Sequence, residues 1–270
     1  MSRTRTDRVR RNTLVALVTL SIVAFIAGCV IPASPSAPTS RPASPLAATF
    51  AAHGGLATWN AQRGMTYELD GFPLSPQVAK PNTSTVDLRT RQNRIVGEEF
   101  TVGFDGRNAW STPTKDAAGL PTRFFTLGSF YFIGMPFVFA DPGVYVETDG
   151  TQEFRGKTYL AYRVTFANEV GHTAEDSYQL FVDPDTDRLH MIHHSVTELD
   201  RSLRVVWVFD EYQEVDGLLI ARKLTYYPAW NDGDLEGDGA VTIIRDLDFS
   251  TDAPDPSLYA VPSNDAQNQR

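Results

Sequence analysis

Three histidines stand close together in the second half of the chain, in a spacing that invites comparison with a metal site. They are His190, His193 and His194. In an extended strand, neighbouring side chains point to opposite faces, and His190 and His194 lie roughly 13 Å apart at about 3.3 Å per residue. With no thiolate nearby, we predict no metal site and interpret the three as surface or cavity-rim residues.

An acidic segment near the C-terminus resembles the first half of a calcium-binding loop. Asp232, Asp234, Glu236 and Asp238 are separated by single residues. An EF-hand loop needs a Glu at its last ligand position, and Ile243 occupies that position here. We interpret the segment as a solvated acidic hairpin loop, with weak calcium binding as the alternative.

Residues able to perform acid–base or nucleophilic chemistry lack a supporting motif. Ser177 and Ser195 are not in a nucleophile elbow, and His172 lies in a polar loop. His53 precedes two glycines, a position that indicates a role at a helix C-terminus. The sequence contains no phosphate-binding loop, no dinucleotide fingerprint and no candidate Cys nucleophile. We therefore predict a protein without enzymatic activity or cofactor, and keep an envelope hydrolase as the less favoured alternative.

The N-terminus has the pattern of a bacterial lipoprotein signal. Five Arg residues precede an apolar segment, residues 14–26, which ends at Ala27-Gly28-Cys29. Cys29 is the only cysteine, and it occupies the position that a lipobox reserves for lipid attachment. We predict a signal peptide over residues 1–28 and lipidation of Cys29. An ordinary signal peptide, an uncleaved anchor helix and twin-arginine export through Arg10-Arg11 are the alternatives.

The segment after Cys29 predicts a spacer, and the remainder predicts an acidic domain. Residues 30–45 contain five Pro and four Ser, a composition typical of an extended linker at about 3.1 Å per residue. The domain is predicted over residues 46–265, with a disordered tail at 266–270. Because residues 1–28 carry five Arg and one Asp, the formal charge of −9 becomes −13 for the rest. That charge disfavours nucleic-acid binding and electrostatic docking on anionic lipid.

The most apolar stretch outside the leader is FFTLGSFYFIGMPFVF, residues 124–139, which holds six of the sixteen Phe residues. It is shorter than the roughly 20 apolar residues of a membrane-spanning helix, and it contains Gly128, Gly134 and Pro136. We predict one or two short buried helical turns with a break near Pro136. Such a segment is either plain core or the lining of a ligand site, and the sequence leaves both open.

The rest of the chain predicts an antiparallel sheet. An interrupted helix is expected over residues 46–63, followed by short alternating segments at roughly 8–12-residue spacing with turn signals between them. No helical pattern separates consecutive strands, which excludes parallel βαβ units. The predicted fold is mainly β (α+β), a strongly curved sheet or half-barrel of about 10–11 strands that encloses short helices.

Several motifs carry a resemblance to a family of uncharacterised bacterial lipoproteins. They are Ala52-His53-Gly54-Gly55 with Trp59, Phe104-Asp105-Gly106 with Ala109-Trp110, Pro136-Phe137-Val138-Phe139-Ala140-Asp141-Pro142-Gly143, Asp176-Ser177-Tyr178 with Val182-Asp183-Pro184-Asp185-Thr186, and Tyr212-Gln213-Glu214-Val215-Asp216-Gly217. That family is similar in architecture to LolA, LolB and LppX, in which a curved antiparallel sheet wraps around short helices. The resemblance implies an apolar cavity but no particular cargo.

These observations favour a lipid-anchored protein on the extracytoplasmic side of a bacterial membrane, in the cell envelope, that binds a lipid or other hydrophobic molecule. A structural or protein-interaction module with a filled core is the alternative. The residues predicted to line the cavity are Phe125, Phe130, Phe132, Phe137, Phe139 and Trp207.

Overall fold

The computed structural model describes residues 44–168, 175–231 and 234–262, all of which belong to the unit Pro42–Arg270. The predicted leader, Cys29, nearly all of the spacer and the tail lie outside the described residues. So do His172 and Asp232.

The described chain is mainly β. Helices α1 (Ala47–Ala52) and α2 (Leu56–Ala61) come first, and α3 (Thr122–Ile133) lies between the fifth and sixth strands. The strands are β1 (Gly64–Asp70), β2 (Asn82–Asp87), β3 (Asn93–Val96), β4 (Thr101–Phe104), β5 (Ala109–Thr112), β6 (Val144–Phe154), β7 (Lys157–Phe166), β8 (Tyr178–Val182), β9 (Leu189–Ser195), β10 (Arg204–Val215), β11 (Leu218–Tyr227), β12 (Ala229–Asn231), β13 (Asp234–Glu236) and β14 (Ala240–Ser250).

Twelve strands form one curved antiparallel sheet that does not close. Their order is β5-β4-β3-β2-β1-β14-β11-β10-β9-β8-β7-β6. Neighbours in the sheet are neighbours in sequence except where β14 lies between β1 and β11. Strands β5 and β6 follow each other in sequence but do not pair. The predicted half-barrel is therefore confirmed.

The passage from β5 to β6 determines where the aromatic segment lies. These two strands are the opposite edges of the sheet, so residues 113–143 must run from one edge to the other. Helix α3 packs against β3, β4 and β5, and the following 3₁₀ turn, Phe137–Ala140, packs against β6. The connection that bridges the two edges is thus the most aromatic part of the domain.

The sheet buries apolar side chains on both faces at one end. Leu180, Ile192 and Trp207 belong to the main core with α3. Their neighbours in sequence point the other way, and Phe181, Met191 and Val206 form a second, smaller cluster. The hairpin β12–β13 covers that cluster with Trp230, whose ring lies 5.5 Å from that of Phe181.

Helices α1 and α2 are joined by Gly54 and Gly55, which the structure requires for different reasons. Both have positive φ, +102° and +89°. A Cβ on Gly54 would lie 2.0 Å from the carbonyl oxygen of Gly217, whereas a Cβ on Gly55 would meet nothing within 4 Å. The helix pair therefore approaches the β10–β11 turn at Gly54.

None of the helices in the described residues has the length and apolar character needed to cross a membrane.

Candidate ligand-binding site

Helix α3 presents the aromatic segment to the hollow of the sheet. The Asp116 carboxylate accepts hydrogen bonds from the backbone N–H and the hydroxyl of Thr122, 2.9 and 2.8 Å long, which satisfies one donor at the start of the helix. The helix ends at Ile133, and the cis Met135–Pro136 bond leads into the 3₁₀ turn. The predicted break near Pro136 is present, and of the one or two short turns predicted, the first is a longer helix of 12 residues.

A cavity of about 260 Å³ lies between α3 and the inner face of the sheet. Its wall is predominantly apolar. The apolar lining comprises Phe104, Phe124, Leu127, Phe130, Tyr131, Phe132, Val144, Phe166, Tyr178 and Val196. Ligand pockets commonly enclose roughly 300–1,000 Å³, and a dry apolar cavity of about 150 Å³ can hold a molecule the size of benzene. The space fits one slender apolar group.

The structure separates the six predicted lining residues into three groups. Phe130 and Phe132 are in the wall of this cavity. Phe137 is in the wall of a neighbouring one and packs between Phe50 and Trp59, with ring centroids 6.4 and 4.9 Å away.

Phe125, Phe139 and Trp207 lie in the packed core instead of the cavity wall. Trp207 is 1% exposed, and the ring centroids of Phe72 and Phe132 are 5.5 and 4.7 Å from its own. Sequence identified these side chains as buried, but their neighbours fill the space around them. Contact of any of the six with a ligand stays a prediction.

A charged pair interrupts the apolar wall. Arg91, in the turn between β2 and β3, forms an ion pair with Asp141, and its guanidinium carbon lies 4.9 Å from the centre of the Phe130 ring. Both side chains are partly buried, at 26% and 31% exposure. Burial raises the pKa of the Asp141 carboxyl, and the neighbouring Arg91 opposes that shift. The pair is thus held in a poorly hydrated position.

Neither Arg91 nor Asp141 was among the residues predicted to line the cavity, and Asp141 stood out in the sequence only as part of the motif that runs from Pro136 to Gly143. Fifty positions separate the two residues, and neither has a local pattern that predicts the other as its partner.

Another polar group lies where β8 and β9 meet the cavity. The carboxylate of Asp176 accepts hydrogen bonds from the hydroxyl of Ser195, 3.0 Å, and from the backbone N–H and hydroxyl of Thr197, 2.9 and 2.8 Å. The Ser195 hydroxyl therefore donates to a carboxylate and not to an imidazole. This cluster does not form a nucleophile–base pair.

His194 lines the cavity beside this cluster. Its ring stacks on that of Tyr178 at 4.6 Å, and its Nδ1 bonds the backbone carbonyl of Ser195 at 2.9 Å. Desolvation lowers the pKa of His194 to about 4, so the ring is neutral at pH 7. The Nε2 atom is buried with no hydrogen-bond partner among the described residues.

The three histidines of β9 have separate surroundings. His190 stacks on Tyr159 at 4.8 Å and His193 on Trp230 at 5.9 Å, while His194 faces the cavity. Within residues 44–168, 175–231 and 234–262, no group of three or more His, Cys, Asp or Glu side chains is arranged to hold a metal ion. Of the acidic segment, residues 234–236 form β13, and its first residue lies outside the described chain.

His53 fastens helix α1 to two strands. Its Nδ1 bonds the carbonyl oxygen of Leu219 at 2.8 Å, and its Nε2 accepts the backbone N–H of Leu189 at 3.1 Å. The carbonyl is an acceptor and the N–H a donor, so the proton is on Nδ1 and the ring is neutral. Desolvation lowers the pKa of His53 to about 4. His53 is thus the C-cap of α1, as expected from its position, and its neutral side chain also bridges to two strands.

The sequence matches a family model over residues 121–214, less than half of the chain, and that model is described as a family of unknown function, DUF6503. The match begins just before α3 and ends in β10, so it contains most of the cavity wall. A comparison with curated proteins finds no match.

Several solved structures are similar to this fold. A LolA superfamily protein from Nitrosomonas europaea has a TM-score of 0.37 at 10% identity, covering 74% of this chain and 89% of that one. A DUF1329 family protein from Desulfovibrio piger has a TM-score of 0.45 at 9% identity, covering 80% and 97%. The lipoprotein LppX of Mycobacterium tuberculosis has a TM-score of 0.29 at 12% identity, covering 76% and 93%. A LolA superfamily protein and LppX are thus both among the similar structures, in agreement with the expected fold. With TM-scores and identities this low, the likeness carries no argument about a ligand.

Proposed function

We propose that this protein is a lipid-anchored extracytoplasmic lipoprotein that binds a single acyl chain or a similar apolar group in the cavity between α3 and the sheet. The observation that carries the proposal is the largely apolar cavity of about 260 Å³. The aromatic part of this wall favours an apolar guest, because water needs several polar partners and finds few there. A ligand with several acyl chains is larger than the cavity.

The first test is a search for a bound guest. The protein carrying Cys29→Ser, purified without detergent, is extracted with organic solvent and the extract is analysed by mass spectrometry. We expect an apolar molecule at a defined ratio to protein. A protein that is free of such molecules, and that also fails to bind the neutral apolar fluorophore N-phenyl-1-naphthylamine, would contradict the proposal.

A cavity-filling variant connects binding to this particular space. Leu127 lines the cavity and is partly exposed, so Leu127→Trp places a large ring there with little disturbance of the core. We expect fluorophore affinity to fall at least about tenfold, while the free energy of unfolding changes by less than about 1.5 kcal/mol. Leu258→Trp, at a residue 39% exposed and outside the cavity wall, is the control. Equal binding by both variants would locate the ligand elsewhere.

An interaction module with a filled core is the second candidate. It is favoured by the burial of Phe125, Phe139 and Trp207 in the main hydrophobic core. It predicts no bound guest in the extraction and no effect of Leu127→Trp on any ligand.

A further inference from the structure

Arg91 has an unused hydrogen-bond donor in a cavity wall that is mostly apolar. Its Nη2 donates to the Asp141 carboxylate, while its Nη1 is buried and has no hydrogen-bond partner among the described residues. A buried donor without an acceptor is costly, and more so when it carries charge. The guanidinium group belongs to the cavity wall, and the flat fork of Arg suits a carboxylate or phosphate.

A second cation, Arg123, lies near the end of strands β3 and β4 at which Arg91 is found. Arg123 is exposed, and its guanidinium carbon lies 5.3 Å from the centre of the Phe104 ring, which is part of the cavity wall. Phe104 is the register partner of Asn93, two residues after Arg91. Arg123 takes part in none of the ion pairs formed between described residues.

Both carboxylates in the cavity wall already have partners. Asp141 is paired with Arg91, and Asp176 accepts three hydrogen bonds from Ser195 and Thr197. The described wall therefore has one cation, Arg123, outside any ion pair, and one buried guanidinium nitrogen without an acceptor.

The Arg91–Asp141 pair also borders a second, more polar cavity of about 580 Å³. Both residues line both spaces, and Arg89 lies in the wall of the second. A molecule with its apolar part beside Phe130 would thus meet Arg91 where the apolar space ends and the polar one begins.

Resting on the function proposed above, we propose that the ligand is an amphiphile with one hydrocarbon chain and an oxyanion head. The chain occupies the aromatic cavity, the carboxylate or phosphate pairs with the guanidinium group of Arg91, and Arg123 adds favourable charge. The sources of such a head are a free fatty acid and a single-chain phospholipid.

Displacement of N-phenyl-1-naphthylamine from the full chain carrying Cys29→Ser tests the head group. Dodecanoate, dodecyl phosphate and 1-dodecanol share one chain length and differ in the head. At neutral pH we expect at least one anion to bind about tenfold or more tighter than the alcohol, as a hydrogen bond to a charged group predicts. The tighter anion identifies the source as carboxylate or phosphate.

The binding results distinguish a failure of this inference from a failure of the proposed function. If 1-dodecanol binds as tightly as both anions, the apolar site stands and the oxyanion head is wrong. If the fluorophore and all three compounds fail to bind, the proposed function itself fails.

Two substitutions in the ion pair should act in opposite directions. Arg91→Gln removes the donor and should weaken anion binding at least about tenfold while leaving 1-dodecanol unchanged. Asp141→Asn removes the competing carboxylate and should tighten anion binding. Arg94→Gln, on β3 and outside both cavity walls, changes the net charge equally and should have no effect.

Equal weakening by Arg91→Gln and Asp141→Asn would mean that the pair has only a structural role and would overturn the proposal. Thermal unfolding establishes that each variant is folded. If Arg91→Gln does not fold, Arg123→Gln replaces it. We then expect Arg123→Gln to weaken anion binding and to leave 1-dodecanol binding unchanged. If the variant binds both the anions and the alcohol as the unsubstituted protein does, the proposal is contradicted.

Discussion

Two buried histidines, His53 and His194, are held in the neutral form by their surroundings. Each has its Nδ1 bonded to a backbone carbonyl, and desolvation lowers each pKa to about 4. The residue type at both positions is visible in the sequence. The neutral state is not, because it depends on burial and on partners such as Leu219, which is 166 positions from His53.

These two histidines predict a loss of stability in mild acid. Between about pH 6.5 and 4 the unfolded chain binds protons that the folded protein does not. The free energy of unfolding should therefore have its full value above about pH 6.5. Below that pH it should decrease by about 1.4 kcal/mol per pH unit for each histidine. Urea unfolding at several pH values measures this slope.

His53→Gln is the variant that tests the source of the slope. It should lower stability at neutral pH, since two backbone partners lose their bonds, and it should flatten the slope by about one histidine's share. An unchanged slope would show that His53 does not titrate in this range.

At the scale of elements, the turn between α1 and α2 depends on both the local sequence and a tertiary contact. The Gly54-Gly55 pair predicted an interrupted helix, and the structure confirms two short helices with the break at this point. Only the fold distinguishes the two glycines, because only Gly54 touches the β10–β11 turn.

Alanine substitution should separate these two roles. Gly54→Ala combines positive φ with a Cβ 2.0 Å from the Gly217 oxygen, and we expect it to lower the free energy of unfolding by at least about 2 kcal/mol. Gly55→Ala has the backbone strain alone and should cost roughly 1 kcal/mol. Chemical denaturation compares them, and equal effects would mean that the helix pair moves away from the turn at little cost.

The strands differ in how clearly their sequences predict them. Long strands such as β7 and β10 have many apolar and aromatic residues, which indicate a strand. β3, with the sequence NRIV, and the two strands β12 and β13 have no such signal. Each has only three or four residues, too few for alternation to stand out. Pairing with neighbours defines such strands.

At the scale of the whole molecule, the cavity depends on the connection from β5 to β6. Because those strands are the two edges of the sheet, the aromatic segment must pass from edge to edge inside the hollow. The local sequence was enough to predict that the segment is buried. The order of the strands determines which of its aromatic rings line the cavity and which pack in the core.

Membrane attachment is the prediction that belongs to the whole chain. If the leader is still processed or bypassed, Cys29→Ala should release the protein from membranes, because the acyl chains are the proposed anchor and an acidic surface is repelled by anionic lipid. Fractionation of cells followed by immunoblotting measures the released share. An unacylated protein that stays firmly bound would indicate an uncleaved apolar leader as the anchor.

The sequence by itself determined the β-rich class, the two short N-terminal helices and the burial of the segment 124–139. Each follows from periodicity, glycine placement or apolar content, which are local properties. Only the tertiary structure decided that Phe130 and Phe132 line a cavity while Phe125, Phe139 and Trp207 pack in the core, and that Arg91 meets Asp141 there. Those outcomes depend on which distant strands pair and on how completely side chains fill the space between them, and neither quantity is encoded in any single stretch of residues.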